Sequence, residues 1–156
     1  MGEAAAMVDL FYEDVVVGDG VSTHAHTISM DDILAFANVT RDRHPLHVDE
    51  EYCRNTEFGR PIAHGLYGLS LIEGLKSELK LYENTSIASL GWDKVSFRAP
   101  AFVGDTVHVR MTFLAKRPSR NGERGVVTEG VALVNQDGQV VVEGEHITLL
   151  KCRPAA

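Results

Sequence analysis

The chain contains two cysteines in 156 residues, Cys53 and Cys152. That is too few for a disulfide framework, and no zinc-ribbon spacing is present. Two reduced thiols in a cytoplasmic protein account for them. No apolar run approaches the ~18 residues of a membrane span. The apolar stretch 4–8 is short and has no basic flank, so it does not read as a signal peptide. Basic residues are also scarce, 15 against 22 acidic ones, for a net charge of -7. Such a surface repels nucleic acid and anionic lipid on average, so neither is expected as a partner. A polyanionic ligand would need a local basic patch. Repeats, low-complexity tracts and linkers are missing too.

What is present suits a globular protein. With 44% hydrophobic and 24% charged residues, a chain of this length buries a core without help from metal or disulfide. We read one domain over residues 1–156, with its core at about 10–150.

Local patterns divide the chain into three stretches. In the first, Val21 to Ile28 reads as a strand, with His24 and His26 on one face as surface residues. Ser29 and Asp32 form a capping-box signature, followed by a short amphipathic helix through Ile33, Leu34, Phe36 and Ala37. In the second, residues 40–48 contain Pro45 and read as a loop, and Asp49 to Tyr52 as a helix start. A long helix then runs from Ala63 or His64 to about Leu79. It is apolar nearly all round, which predicts enclosure by other structure. The third stretch is β: 87–97, 106–115, 125–135 and 139–150, with turns at 100–105, 118–122 and 135–138. Consecutive hairpins predict an antiparallel meander, and the whole predicts an α+β fold, a curved sheet around a central helix.

Titratable groups crowd into Thr40-Arg41-Asp42-Arg43-His44-Pro45-Leu46-His47. Asp42 and His47 would stand ~140° apart on an ideal helix, too far to share a ligand. A turn at His44-Pro45 can bring them together as an acid/base couple on one water. Alternatives stay open. Asp and His near a proline commonly serve as turn and cap residues. Asp42, His44 and His47 are also zinc-type ligands, although no clear fourth ligand accompanies them. Gly65 opens the long helix, where unpaired amides and the helix dipole favour negative charge. Its small size suits either an approaching ligand or helix–sheet packing.

Taken together, Asp42-x-His44-Pro45-Leu46-His47 and Phe58-Gly59-Arg60-Pro61-Ile62-Ala63-His64-Gly65 resemble the MaoC-like (R)-specific enoyl-CoA hydratases. The family pattern is Asp-x-Asn-Pro-x-His, with an apolar-His-Gly helix start further on. The resemblance continues through Ser96 to Asp105 and covers roughly residues 10–150. It implies the hot-dog fold, a long helix wrapped by an antiparallel sheet, as a homodimer or dimer of dimers. It implies that Asp42 and His47 hold the catalytic water and that the Gly65 amide binds the thioester oxygen. His44 and His64 would orient these groups. No metal is implied, and no cofactor beyond the coenzyme A of an acyl-CoA substrate. One departure stands out: His44 occupies the place of the family's Asn, which bears on the surrounding hydrogen bonds and on the acyl class.

Two other readings share the fold. A hot-dog acyl-CoA thioesterase would use a carboxylate of the central helix, here Glu73 or Glu78. A non-catalytic acyl-CoA-binding subunit of a heteromeric dehydratase would need neither Asp42 nor His47. For the coenzyme A phosphates, the cluster Lys116-Arg117-Pro118-Ser119-Arg120 and the cations Lys94 and Arg98 are candidates. Tyr67, Leu69 and Trp92 are candidates to line an acyl tunnel.

Overall fold

A computed structural model describes residues 7–156, so most of the apolar stretch 4–8 lies outside the described residues. After a turn of 3-10 helix at Tyr12–Asp14 come β1 (Gly20–Ser22) and β2 (His26–Thr27). The expected single strand from Val21 to Ile28 is therefore two short pieces. Both pair with the same later strand, and Thr23 bridges the break: its amide donates to the Val109 carbonyl and its hydroxyl oxygen accepts the Val109 amide.

Helix α1 spans Met30–Thr40 and begins at the predicted capping box. The Asp32 amide donates to Ser29 Oγ at 3.1 Å, and the Ser29 amide to Asp32 Oδ2 at 3.0 Å. His26 Nε2 meets the same Asp32 oxygen at 2.8 Å, so this histidine is part of the helix start and not a free surface group. Two short helices follow, α2 (Pro45–Val48) and α3 (Glu50–Arg54), the latter capped by Asp49 as its sequence suggests. Helix α4 spans Gly65–Glu78.

Four long strands complete the chain: β3 (Ser86–Phe97), β4 (Thr106–Pro118), β5 (Arg124–Val134) and β6 (Val140–Lys151). They are antiparallel, but they do not form the expected meander. The order is β1-β4-β5-β6-β3. Only β4, β5 and β6 follow one another as hairpins; β3 lies at the far edge, with Ser86 opposite Leu150 and Phe97 opposite Val142. The reason lies in residues 98–105. Arg98 donates its amide to Val141 of β6, and Ala101 accepts from the Ala63 amide. The connection is thus pinned across the end of the sheet and cannot close a tight hairpin. Pro118, expected in a turn, ends β4 opposite Gly125, a strand-terminal position that tolerates a missing amide.

Alternation along β4 buries Val107, Val109, Met111 and Phe113 on one face. Helix α4 lies on that face with Tyr67, Ile72 and Leu75 buried. Gly68 lets it approach closely, since a Cβ there would stand 2.8 Å from Val142 Cγ2. The helix is less enclosed than its composition suggests: Leu66, Ser70, Gly74 and Ser77 face outward. The architecture is the α+β arrangement expected, a helix cradled by a curved antiparallel sheet that is not closed. No helix among the described residues is long and apolar enough to cross a membrane.

Candidate active site

The site grows from the end of α1. Arg41 caps this helix at φ 69°, a left-handed conformation that reverses the chain and delivers Asp42 beside the next turn. Asp42 Oδ1 accepts the His44 amide at 3.4 Å. His44 Nδ1 in turn accepts the Leu46 amide at 3.1 Å and so caps α2. Residues 40–48 are therefore not a loop throughout. Pro45 starts a helical turn, because at the first helical position its missing N–H would have no partner and its φ is already suitable. A lone-pair acceptor at the cap is also what Asn supplies, which gives His44 a structural role in the family's Asn position.

That one turn aims His47 inward. Its Nδ1 lies 2.7 Å from the Ile62 carbonyl oxygen. A carbonyl can only accept, so Nδ1 carries the hydrogen and Nε2 presents a lone pair. Ile62 is fixed from both sides, its amide donating to the Leu46 carbonyl and its backbone bridging to Phe102. Burial pushes the His47 pKa down, aided by neighbouring His64, while the Ile62 carbonyl and Asp42 act the other way and recover only part of the loss. The imidazole is therefore neutral at neutral pH and ready to accept a proton.

His64 is buried and joins the pair directly. Its Nε2 donates to the Asp42 carbonyl oxygen at 2.9 Å, and its ring stacks on that of His47 with centroids 3.8 Å apart. Its Nδ1 is buried without a partner. One ligand-type atom from each of Asp42, His47 and His64 lies within 4.8 Å of the others. The trio expected as possible zinc ligands is thus not the trio that converges: His64 takes the place of His44, whose Nδ1 is committed to the cap. The sequence marked His64 only as an orienting group; its link to position 42 runs through a backbone carbonyl.

Gly65 opens α4 next to this cluster. Among the described residues the amides of Gly65, Leu66 and Tyr67 have no backbone acceptor, as the first turn of a helix requires. A Cβ at Gly65 would stand 2.7 Å from the Phe97 ring. Glycine here leaves room for that half-exposed ring, and Gly65 and Phe97 line the same pocket. That pocket has a volume of about 420 Å³. Asp42, His47, His64 and Gly65 line it, together with apolar walls that include Phe58, Phe97 and Val142.

The other lining candidates go elsewhere. Tyr67 donates its hydroxyl to Asp32 and Trp92 packs on His146, and neither they nor Leu69 line the pocket. Arg98 does line it and is paired with Glu143 at 2.7 Å. Lys94 is paired with Glu145 on the open sheet. Lys116 lies over the Tyr12 ring. The cluster 116–120 sits where β4 turns into β5, roughly 20–30 Å along the strands from Val142. It does not line this pocket.

A helix start with free amides and an acid/base cluster, set against an open antiparallel sheet, define a hot-dog protein with a largely apolar pocket. The same fold is present in a conserved hypothetical protein of Mycobacterium tuberculosis with a double hotdog fold. That structure matches with a TM-score of 0.81 at 19% identity, over 95% of this chain and 46% of that one. Residues 14–135 match the family model described as MaoC like domain, and the chain belongs to that family. It is 32% identical to the (R)-specific enoyl-CoA hydratase of Rhodospirillum rubrum, over 92% of this chain and 93% of the relative. It is 33% identical to the 3-hydroxybutyryl-CoA dehydratase of Methylorubrum extorquens, over 88% and 82% respectively.

Proposed function

We propose that the protein is a hydratase/dehydratase that adds water to a 2-enoyl-CoA thioester, giving the (R)-3-hydroxyacyl-CoA, or removes it. One observation carries this reading: Asp42, a neutral His47 and the free Gly65 amide converge on one largely apolar pocket. The thioester carbonyl accepts a hydrogen bond from Gly65. Asp42 and His47 orient a water against Cβ, and His47 Nε2 takes its proton. The resulting enolate is stabilised by the Gly65 amide and the dipole of α4. Protonation at Cα by the same pair completes hydration, and the reverse sequence is dehydration. The thioester is the electron sink, so this chemistry calls on neither a metal nor a redox cofactor. The relatives named as hydratase and dehydratase support the substrate class.

Arg98, lining the pocket, is the cation we assign to the coenzyme A phosphates. The sheet's open edges support the expected homodimer or dimer of dimers, which light scattering on the purified protein tests. Crotonyl-CoA hydration tests the reaction: Asp42→Ala and His47→Ala should each lower turnover by ~10²–10⁴ with folding intact. Near-normal hydration by both variants refutes the assignment. A thioesterase reading is weaker, because Glu73 is held by Lys76 near the other end of α4 and Glu78 is exposed. Release of free thiol from an acyl-CoA would favour it.

A further inference from the structure

Three levels of side chains stack between α4 and the sheet behind the pocket, and the third level is ionic. Four helix residues advance ~6 Å, nearly the rise of two strand residues. Every fourth position of α4 therefore comes level with every second position of β5 and β6. At the first level Gly68 faces the cross-strand pair Leu133 and Val142. At the second, Ile72 falls level with Val131 and Gly144. At the third, Lys76 meets Glu129 and His146. Gly68 and Val142 line the pocket, so the first level is its inner wall. The second level is apolar. The third is charged and enclosed: Glu129 is fully buried, and Lys76 and His146 are only 6% and 3% exposed.

Each polar atom of the third level has a partner. Tyr82 donates to Glu129 Oε1 at 2.6 Å, and Lys76 donates to Oε2. A carboxylate can only accept, so His146 donates Nδ1–H to the same Oε2, at 3.1 Å. Its Nε2 meets Ser89 Oγ at 2.7 Å, and Lys76 also reaches Glu73 at 2.7 Å. Beyond this layer lies a separate cavity of about 340 Å³, lined by Lys76 and His146 and sharing no residue with the pocket.

We propose that the Lys76–Glu129–His146 layer is the floor that sets acyl specificity, admitting short and medium chains and turning away long ones. The inference rests on the hydratase reading, with the thioester carbonyl at Gly65. An extended chain advances ~1.2 Å per bond, so a six-carbon acyl group spans ~6 Å and ends near the first level, ~4.5 Å along α4 from Gly65. A twelve-carbon group spans ~13 Å and reaches the ionic layer, whose helix members Glu73 and Lys76 stand ~12–16 Å from Gly65.

The apolar levels can yield to an alkyl tail, because their side chains exchange one apolar contact for another. The ionic layer cannot. A tail that parts Lys76 from Glu129 strands both charges away from water and offers them no hydrogen bond in return. Fastening α4 to the sheet does not by itself call for charge, since well-packed apolar side chains of like volume serve as well.

Hydration rates on 2-enoyl-CoA substrates of four, six, eight and twelve carbons test the floor in the full-length protein. For the wild type, kcat/KM should hold within about tenfold up to eight carbons and fall at least ~10²-fold at twelve. Lys76→Met/Glu129→Leu/His146→Leu removes the layer as a unit. It should regain at least ~10-fold with the twelve-carbon substrate while crotonyl-CoA hydration stays within about threefold of wild type. Ile72→Ala, which widens the second level and keeps the floor, should leave the twelve-carbon cut-off in place. Wild-type kcat/KM at twelve carbons equal to that for crotonyl-CoA overturns the proposal, whether or not the triple variant folds. So does a triple variant that is folded by circular dichroism, hydrates crotonyl-CoA and keeps the wild-type chain-length profile, or an Ile72→Ala that accepts twelve carbons. No hydration at any chain length refutes the hydratase reading and this inference with it, a result distinct from a flat profile.

Discussion

Replacing Gly65 with alanine separates the two reasons for a glycine at the start of α4. Its backbone is not in the left-handed region, so alanine is compatible with the helix, and helix propensity alone would favour it by up to ~1 kcal/mol. Against this, the new methyl would stand 2.7 to 2.9 Å from three atoms of the Phe97 ring. The ring must retreat by roughly 0.7 Å before ordinary contact returns at 3.4 Å. Phe97 is half exposed and can yield, at ~0.5–1.5 kcal/mol if its rotamer is strained. The two terms nearly cancel, so the melting temperature should move by only a few degrees. Activity should not be spared. The methyl and the shifted ring both project where the thioester carbonyl would sit, and a displacement near 1 Å costs on the order of 10²-fold in rate. We therefore expect kcat/KM for crotonyl-CoA to fall by about 10–10²-fold with stability little changed. The double variant Gly65→Ala/Phe97→Ala should recover part of the loss, since the ring is then absent. Wild-type kinetics in Gly65→Ala would refute the oxyanion assignment and leave helix–sheet packing as the whole reason for this glycine.

Three further outcomes follow from the hydrogen bonds described. His44→Ala removes the cap acceptor of α2 and should cost ~1 kcal/mol in chemical denaturation, whereas His44→Asn should restore most of it; equal loss in both would show that the cap is not its role. Because burial lowers the His47 pKa, the acid limb of kcat/KM should lie below the ordinary histidine value of 6.5. The same group binds its proton more readily in the unfolded chain, so its effect on stability is absent above 6.5 and becomes a loss as pH falls from there toward the folded-state pKa. An acid limb above 6.5, or one unchanged in His47→Gln, would contradict this. Finally, Lys76→Met strands the buried Glu129 carboxylate, which its hydrogen bonds otherwise hold below its ordinary pKa despite the opposing push of burial. Denaturation should show a loss of ~3–5 kcal/mol, and a change under 1 kcal/mol would mean that the pair is not buried as described.

Local devices were legible in the chain, while partner choice was not. Ser29 and Asp32 announce α1 because a capping box is a contact between residues three apart. Asp49 announces α3 for the same reason. Pro45 was read as a helix breaker when it is a helix starter, since proline's effect depends on which side of the first turn it falls. The strands were legible from β-branched and alternating residues, yet their order was not. Periodicity marks which face of β3 is buried and carries no information on whether β4 or β6 is its neighbour. In the pocket, Asp42, His47 and Gly65 were identified through the motif. Phe97 lay within the matched segment 96–105 without a role in the pocket, and Val142 enters from β6, outside the motifs. His64 was expected to orient the catalytic groups, but its contact with the Asp42 carbonyl belongs to the tertiary structure.

The edge position of β3 also sets the order in which this protein can assemble. Phe97 becomes a pocket wall only when β3 has zipped onto β6, and β6 is the last strand of the chain. A growing chain exposes the catalytic motif and α4 long before that wall exists. Pairings this distant in sequence close slowly, because the intervening loop must be ordered first. Until then β3 offers an unpaired edge that carries exposed Ile87, Leu90 and Val95. The interval between release of β3 and synthesis of β6 is accordingly the period of greatest aggregation risk. Truncation before Val140, which removes β6, should abolish the pocket, with loss of soluble yield as the first sign.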